Sequence, residues 1–314
     1  MEKTLISGGA GFIGSYLCEY FVKQGHYVIC MDDLSTGNKD NLDEIWDHNY
    51  FAFIEHDVCQ PFTFDPEIVK VDNVLHFASP ASPIDFPRIP LEIAMVNSIG
   101  TFNMLEIARN HNAKFMFAST SECYGDPQVH PQPETYRGNV NTIGVRGCYD
   151  ESKRFGEAIT MAYHRKYGID TKIIRIFNTY GPRMPFDGRV LTAFISQILN
   201  GEDLTIFGDG KQTRCFCYID DMIDGIVKLL NSDEHEPVNF GSETEVTINE
   251  FSERLLKISR TNNKVVYKPL PQDDPKQRRA DITKAKTLFG WEPKTDLNEG
   301  LKKSFDFFRK EKYK

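Results

Sequence analysis

No stretch of this 314-residue chain is apolar for long enough to span a bilayer, and no run of lysine or arginine marks a nucleic-acid surface. A formal net charge of −8 points the same way. Neither a membrane nor a nucleic acid is therefore an expected partner. CxxC spacing is missing too. The seven cysteines, at positions 18, 30, 59, 123, 148, 215 and 217, are odd in number and read as reduced core residues of a cytoplasmic protein. Cys215 and Cys217 would share a strand face, but no second pair or histidine cluster joins them, so no metal is expected. Internal repeats and low-complexity segments are absent. The first apolar stretch starts at Lys3, which predicts a chain without a signal peptide. What remains, 40% hydrophobic and 26% charged residues, suffices for one large domain or two intimately joined ones.

Glycine is where the sequence becomes specific. Lys3–Ser7 reads as a short strand that runs straight into Gly8-Gly-Ala-Gly11-Phe12-Ile13-Gly14. Ile13, Leu17 and Phe21 then recur at helical spacing up to Gln24-Gly25, a helix stop. A second strand, Tyr27–Met31, ends at Asp32. Strand, glycine turn, helix, strand and acid form the context of a dinucleotide fingerprint. Glycines let the backbone approach a pyrophosphate, and the helix N-terminus presents N–H groups and a favourable dipole. Asp32 can accept from a ribose diol and would repel a 2′-phosphate, so NAD is the expected cofactor.

Further strands are expected at 51–55, 74–77, 114–118 and 171–176, with a long helix from about Leu91 to Asn112. That makes an α/β, doubly wound parallel sheet. Ser119–Glu122 falls at the C-terminal end of the fifth strand, where open parallel sheets place ligands. Tyr149 and Lys153 are four apart and share one helix face. An ammonium beside a phenol stabilises the phenolate, so Tyr149 is expected to titrate low and act as a proton acceptor. Residues 126–147, with three prolines, read as a long loop over the site. The second half has shorter elements: helices at 190–200, 220–231, 248–259, 281–289 and 296–311, and strands near 204–207, 215–218, 237–240 and 264–268. A first domain of residues 1–177, taking back part of 215–240, and a smaller α/β lobe of 178–314 are expected.

The GxxGxxG spacing of Gly8, Gly11 and Gly14 resembles the extended short-chain dehydrogenase/reductase family. That resemblance makes Asp57 and Val58 adenine contacts, lays Ala78 along the cofactor, and gives Lys153 to the cofactor as well as to Tyr149. It makes Asn178, Arg189, Arg214 and Arg278 a pyrophosphate clamp for a nucleotide sugar, with Thr205 and Phe207 at the base-binding edge. Arginine suits that task because its fork pairs with phosphate oxygens. A homodimer through the 91–112 and 149–167 helices is a further family expectation.

One branch is matched more closely. Ala78–Pro83, Ala118–Glu122, Tyr124–Pro127, Val129–Gln132, Gly147–Arg154, Arg175–Arg183, Gln272–Lys276 and Gly290–Pro293 resemble the UDP-glucuronate decarboxylases. The resemblance implies oxidation at sugar C4, loss of the C5 carboxylate and re-reduction, with tightly bound NAD recycled in each turnover. Thr120, Ser121, Glu122, Tyr149 and Lys153 would be the catalytic set, Glu122 positioning the ring and reprotonating C5. The branch usually carries tryptophan, histidine and two prolines where this chain has Arg137, Asn139, Thr142 and Val145, and valine where it has Cys123. Those changes point towards a neutral sugar and a UDP-sugar 4,6-dehydratase, the alternative reading. Dehydratases usually carry aspartate at the position of Ser121, which points back to decarboxylation. A C4-epimerase and a non-catalytic NAD-binding scaffold are the remaining alternatives.

Overall fold

A computed structural model describes residues 1–269 and 278–312. Its central sheet has seven parallel strands: β1 (Lys3–Ser7), β2 (Tyr27–Asp32), β3 (Phe51–Glu55), β4 (Asn73–His76), β5 (Lys114–Thr120), β6 (Thr171–Ile176) and β7 (Val238–Phe240). They lie in the order β7-β6-β5-β4-β1-β2-β3. From β1 the chain winds one way, and from β4 the other. The crevice at the C-terminal ends of those two strands is therefore a topological switch point. Parallel strands need crossovers that cover both faces. Leu5, Ile6, Val74, Leu75, Phe115 and Phe117 are accordingly fully buried.

Three helices position the site. The first, α1 (Phe12–Lys23), follows the glycine turn directly. Where a single helix is expected over 91–112, the structure has a helix at Pro90–Met95, a π turn at Val96–Gly100, and α2 (Thr101–His111). The cause is local. Asn97 donates to the Ile93 carbonyl, Ser98 to Ala94 and Thr101 to Asn97, and such back-bonding competes with regular helix bonds. The third, α3 (Gly147–Tyr167), ends at Gly168, whose φ of 68° suits a residue without a side chain.

The second half follows its expected helices closely: Val190–Asn200, Ile219–Leu230, Ile248–Ser259, Thr283–Phe289 and Leu297–Lys312. Its strands differ. The stretch expected as one strand at 215–218 is two, Thr213–Cys215 paired with Glu245–Thr247 and Cys217–Tyr218 paired with Thr179–Tyr180. Phe216 marks the break, its ring 4.4 Å from that of Phe251. Leu204–Phe207 pairs with Val265–Lys268. The 126–147 loop is pinned: Gly125 bridges to Asn139, Gln132 bridges to Ala280, and Arg154 donates to the Cys123 and Arg137 carbonyls. The Gln272–Lys276 motif lies outside the described residues. Among the described residues no helix is long and apolar enough to cross a membrane.

Candidate active site

The glycine turn is tight enough to exclude side chains. A Cβ on Gly8 (φ +73°) would sit 2.5 Å from the Ala78 nitrogen, and one on Gly14 would sit 2.0 Å from the Gly8 carbonyl oxygen. Gly11 caps α1 with no side-chain hydrogen bond, so no cap competes for the N–H groups at Phe12 and Ile13. Asp32 is 7% exposed, and its two oxygens accept from the Ala10 and Leu34 amides at 2.9 Å each. Burial raises its pKa, and those two amides work against the rise. Asp57 accepts from Cys59, while Val58 packs under Gly100 with its carbonyl held by Asn103. A cradle that any Cβ would fill, a bare helix N-terminus and an acid at the end of β2 fit an NAD molecule.

At the end of β5 the chain turns sharply. Thr120 caps the 3₁₀ turn Ser121–Tyr124 by accepting from the Glu122 amide, which leaves Ser121 buried and projects Glu122 sideways. Tyr149, 5% exposed, lies on the first turn of α3 with its ring stacked 5.1 Å from Phe86. The Lys153 ammonium donates to the Ala118 carbonyl at 2.8 Å and stands 5.7 Å from the Tyr149 ring.

The expected lowering of the Tyr149 pKa is corrected by this geometry. Burial pushes the phenol well above its ordinary value, and the negative charges of Glu122 and Asp150 push the same way. A hydrogen bond with Thr120 and the charge of Arg189 oppose the rise. Lys153 is itself pushed down to about 7 by burial, so its ammonium is a weak source of stabilising charge.

Glu122 is the centre of an ion cluster. Arg146 donates to one of its oxygens and Arg278 to the other, and Arg278 also reaches the Gly125 carbonyl at 3.2 Å. Burial alone would raise the Glu122 pKa, but the two guanidiniums outweigh it and hold the carboxyl below its ordinary range. Glu122 is therefore ionised and cannot by itself hold the proton expected of it. Asp150, next to Tyr149, faces the same cluster: its Oδ2 is 3.9 Å from the Arg146 Nε. Arg146 and Asp150 were not among the candidates from sequence. The available signal was their own i, i+4 spacing at the start of the helix that carries Tyr149, which puts the two on one face.

Of the arginines expected to hold substrate, Arg278 reaches this cluster directly and Arg189, paired with Asp187 at 2.7 Å, acts on Tyr149 through its charge. Asn178, Thr205, Phe207 and Arg214 stand on separate short segments of the second half. The Asn178 carbonyl accepts from Cys217, Thr205 and Phe207 lie on Leu204–Phe207, and Arg214 pairs across to Val246. Arg137, Asn139, Thr142 and Val145 are all exposed. Cys123 is buried beside Glu157, and its thiol is pushed far up by burial.

Switch-point crevice, glycine cradle and the Thr120–Tyr149–Lys153 cluster define an extended short-chain dehydrogenase/reductase. The chain belongs to the family described as GDP-mannose 4,6 dehydratase, which matches residues 5–304. Within it, the chain is 47% identical over 309 residues to UDP-glucuronic acid decarboxylase 5 of Arabidopsis thaliana, covering 98% of this chain and 89% of that one. It is 45% identical over 311 residues to UDP-glucuronic acid decarboxylase 1 of Xenopus tropicalis, covering 99% and 73%. Among solved structures, the UDP-glucuronic acid 4-epimerase of Bacillus cereus, in complex with UDP-glucuronic acid and NAD, is similar with a TM-score of 0.88. It is 30% identical and covers 98% of this chain and 99% of that one.

Proposed function

We propose that this chain is an NAD-dependent carbon–carbon lyase that decarboxylates UDP-glucuronate to UDP-xylose through a 4-keto intermediate. The observation that carries the reading is the convergence of two guanidiniums, Arg146 and Arg278, on one carboxylate beside Tyr149. That much cationic charge suits a sugar bearing a carboxylate. Identities of 44–47% to several UDP-glucuronic acid decarboxylases support it.

Gly8, Gly11, Phe12, Ile13 and Gly14 would hold the cofactor's pyrophosphate, Asp32 its ribose, Asp57 and Val58 its adenine, and Ala78 and Lys153 its nicotinamide end. NAD, when bound, supplies reversible oxidation at sugar C4. Tyr149, held by Thr120, takes the proton of the C4 hydroxyl as its own proton passes to Lys153, which burial leaves partly neutral near pH 7. With C4 a ketone, the C5 carboxylate is a β-keto acid. The C5–C6 bond breaks, carbon dioxide leaves, and the electron pair remains as an enolate over C5, C4 and O4. Ser121 and Arg278 supply donors for that charge. C5 then takes a proton, and Tyr149 returns its own to O4. Asn178, Arg189, Thr205, Phe207, Arg214 and Arg278 hold the UDP portion and the sugar.

In the same proposal, residues 1–177 with β7 carry NAD, 178–314 carry the nucleotide sugar, and the protein is a cytoplasmic homodimer. Leu91, Met95, Ile99, Phe102 and Phe155 support the dimer, being large apolar side chains exposed on the helices of 90–111 and 147–167. Mass spectrometry of the protein incubated with UDP-glucuronate, and separately with UDP-N-acetylglucosamine, tests the reaction. Loss of carbon dioxide from the first is expected. Loss of water from the second, with the first untouched, would replace the reading with a 4,6-dehydratase.

A further inference from the structure

Decarboxylation consumes a proton. UDP-glucuronate and one proton become UDP-xylose and carbon dioxide, so each turnover must bring a proton into the site. The proton that Tyr149 takes from O4 goes back to O4 and is not available for C5. Glu122 is ionised between Arg146 and Arg278. The source must be a group that enters the turnover protonated.

Asp150 meets that description. It is 4% exposed, and its Oδ1 is buried with no hydrogen-bond partner among the described residues. Glu122 faces it from the 3₁₀ turn, Arg146 from the start of α3 and Arg278 from the C-terminal half, with Cys148, Tyr149 and Glu151 beside it on α3. An ionised carboxylate with one bare buried oxygen beside a second carboxylate is unfavourable. Burial first, and Glu122 next, push its pKa up to about 7 against the pull of the two arginines. The charge count agrees. Arg146 and Arg278 are balanced by Glu122 and the substrate carboxylate only if Asp150 is neutral.

We propose that Asp150 enters each turnover as a carboxylic acid and supplies, through Glu122, the proton that ends on C5. The O–H bond of Asp150 breaks, the C5–H bond forms with the electron pair of the enolate, and Asp150 is left as a carboxylate. The negative charge lost with the substrate carboxylate is thereby restored within the cluster. Solvent reprotonates Asp150 before the next substrate enters. Acting through Glu122, Asp150 is a positioning residue for the protonation step rather than a group on the reacting atoms. The inference rests on the decarboxylase reading.

Single-turnover experiments with NAD-loaded protein and UDP-glucuronate test it, following carbon dioxide release and UDP-xylose formation separately. D150N should release carbon dioxide within about tenfold of the unaltered rate, yet form UDP-xylose more than about tenfold more slowly, with a UDP-4-ketopentose in the quenched sample. D150E should recover most of that loss. In the unaltered protein the UDP-xylose step should slow as pH rises through about 7, because the acid form is lost there. A UDP-xylose step slowed less than tenfold in D150N, or equal slowing of both steps, overturns the assignment. Should D150N fail to fold, a UDP-xylose step that stays level from about pH 6 to 9 in the unaltered protein overturns it equally. Absence of any carbon dioxide from the unaltered protein would instead strike the decarboxylase reading itself.

Discussion

Glu122 and Asp150 are two carboxyl groups in one cluster that burial treats alike and arginine treats differently. Glu122 receives hydrogen bonds from both guanidiniums and its pKa is held down, whereas Asp150, 3.9 Å from Arg146, has its pKa raised to about 7. Divergent protonation of neighbouring carboxyls is a recurrent basis for acid–base chemistry. Tyr149 stands beside both. Tyr149→Phe removes its hydroxyl and little volume, and it should lower kcat by about 10²–10⁴-fold while leaving NAD binding intact, which kinetics and cofactor titration would check. Loss of NAD affinity in that variant would mean that the hydroxyl serves the cofactor instead. Asp32 bears on two properties at once. Asp32→Ala should weaken NAD, relax discrimination against NADP and also release the Ala10 and Leu34 amides, lowering stability by about 1–3 kcal/mol in urea titration.

At the scale of elements, the placing of α3 against β5 governs the geometry of Tyr149 and Lys153. Gly156 is the contact that permits it: a Cβ there would lie 2.2 Å from the Phe117 ring, the same ring that sits 5.1 Å below the Lys153 ammonium. Gly156→Ala should destabilise the protein by about 1–3 kcal/mol and lower kcat more than it raises KM, as thermal melts and kinetics would show. Elements of this kind were legible in the sequence because burial sets a period. β1 to β6 and the helices of the second half fell close to where apolar spacing put them, and the glycine turn was readable because three glycines stood between a strand and a helix. The π turn at Val96–Gly100 was not, since Asn97, Ser98 and Thr101 bend the helix through bonds that leave the apolar spacing intact. Nor was the break at Phe216, which follows from strand partners far away in sequence. At the site, the four-residue spacing of Tyr149 and Lys153 and the place of Glu122 at a strand end anticipated that the three would gather in one place. The direction of the Tyr149 shift was not legible, because spacing carries no information on how completely Phe86 and its neighbours desolvate a phenol.

For the molecule as a whole, the site is held at the expense of stability, and the pH dependence carries the sign. Asp150 has a folded pKa raised to about 7, so from about pH 4 to 7 the folded state keeps a proton that the unfolded chain has lost, and stability falls as pH rises. Lys153 has a folded pKa lowered to about 7, so its penalty is full below that pH and is relieved as pH rises towards the ordinary lysine value. Both penalties are near full at about pH 7. Asp150→Asn should therefore stabilise the NAD-free protein at pH 8 by on the order of 2–4 kcal/mol and have little effect at pH 4, measured by urea unfolding at the two pH values. Phe102→Asp, placed on the exposed apolar stripe, should shift sedimentation from dimer to monomer with the fold retained. The path of the chain adds a consequence for biosynthesis. β7 completes the sheet only at Phe240, and Arg278 reaches back 156 positions to Glu122. On the ribosome, the glycine cradle and most of the sheet strands are made long before the second of the two guanidiniums that grip Glu122. Chemical competence thus comes late, because a chain stopped short of Arg278 lacks one of the two guanidiniums that grip Glu122.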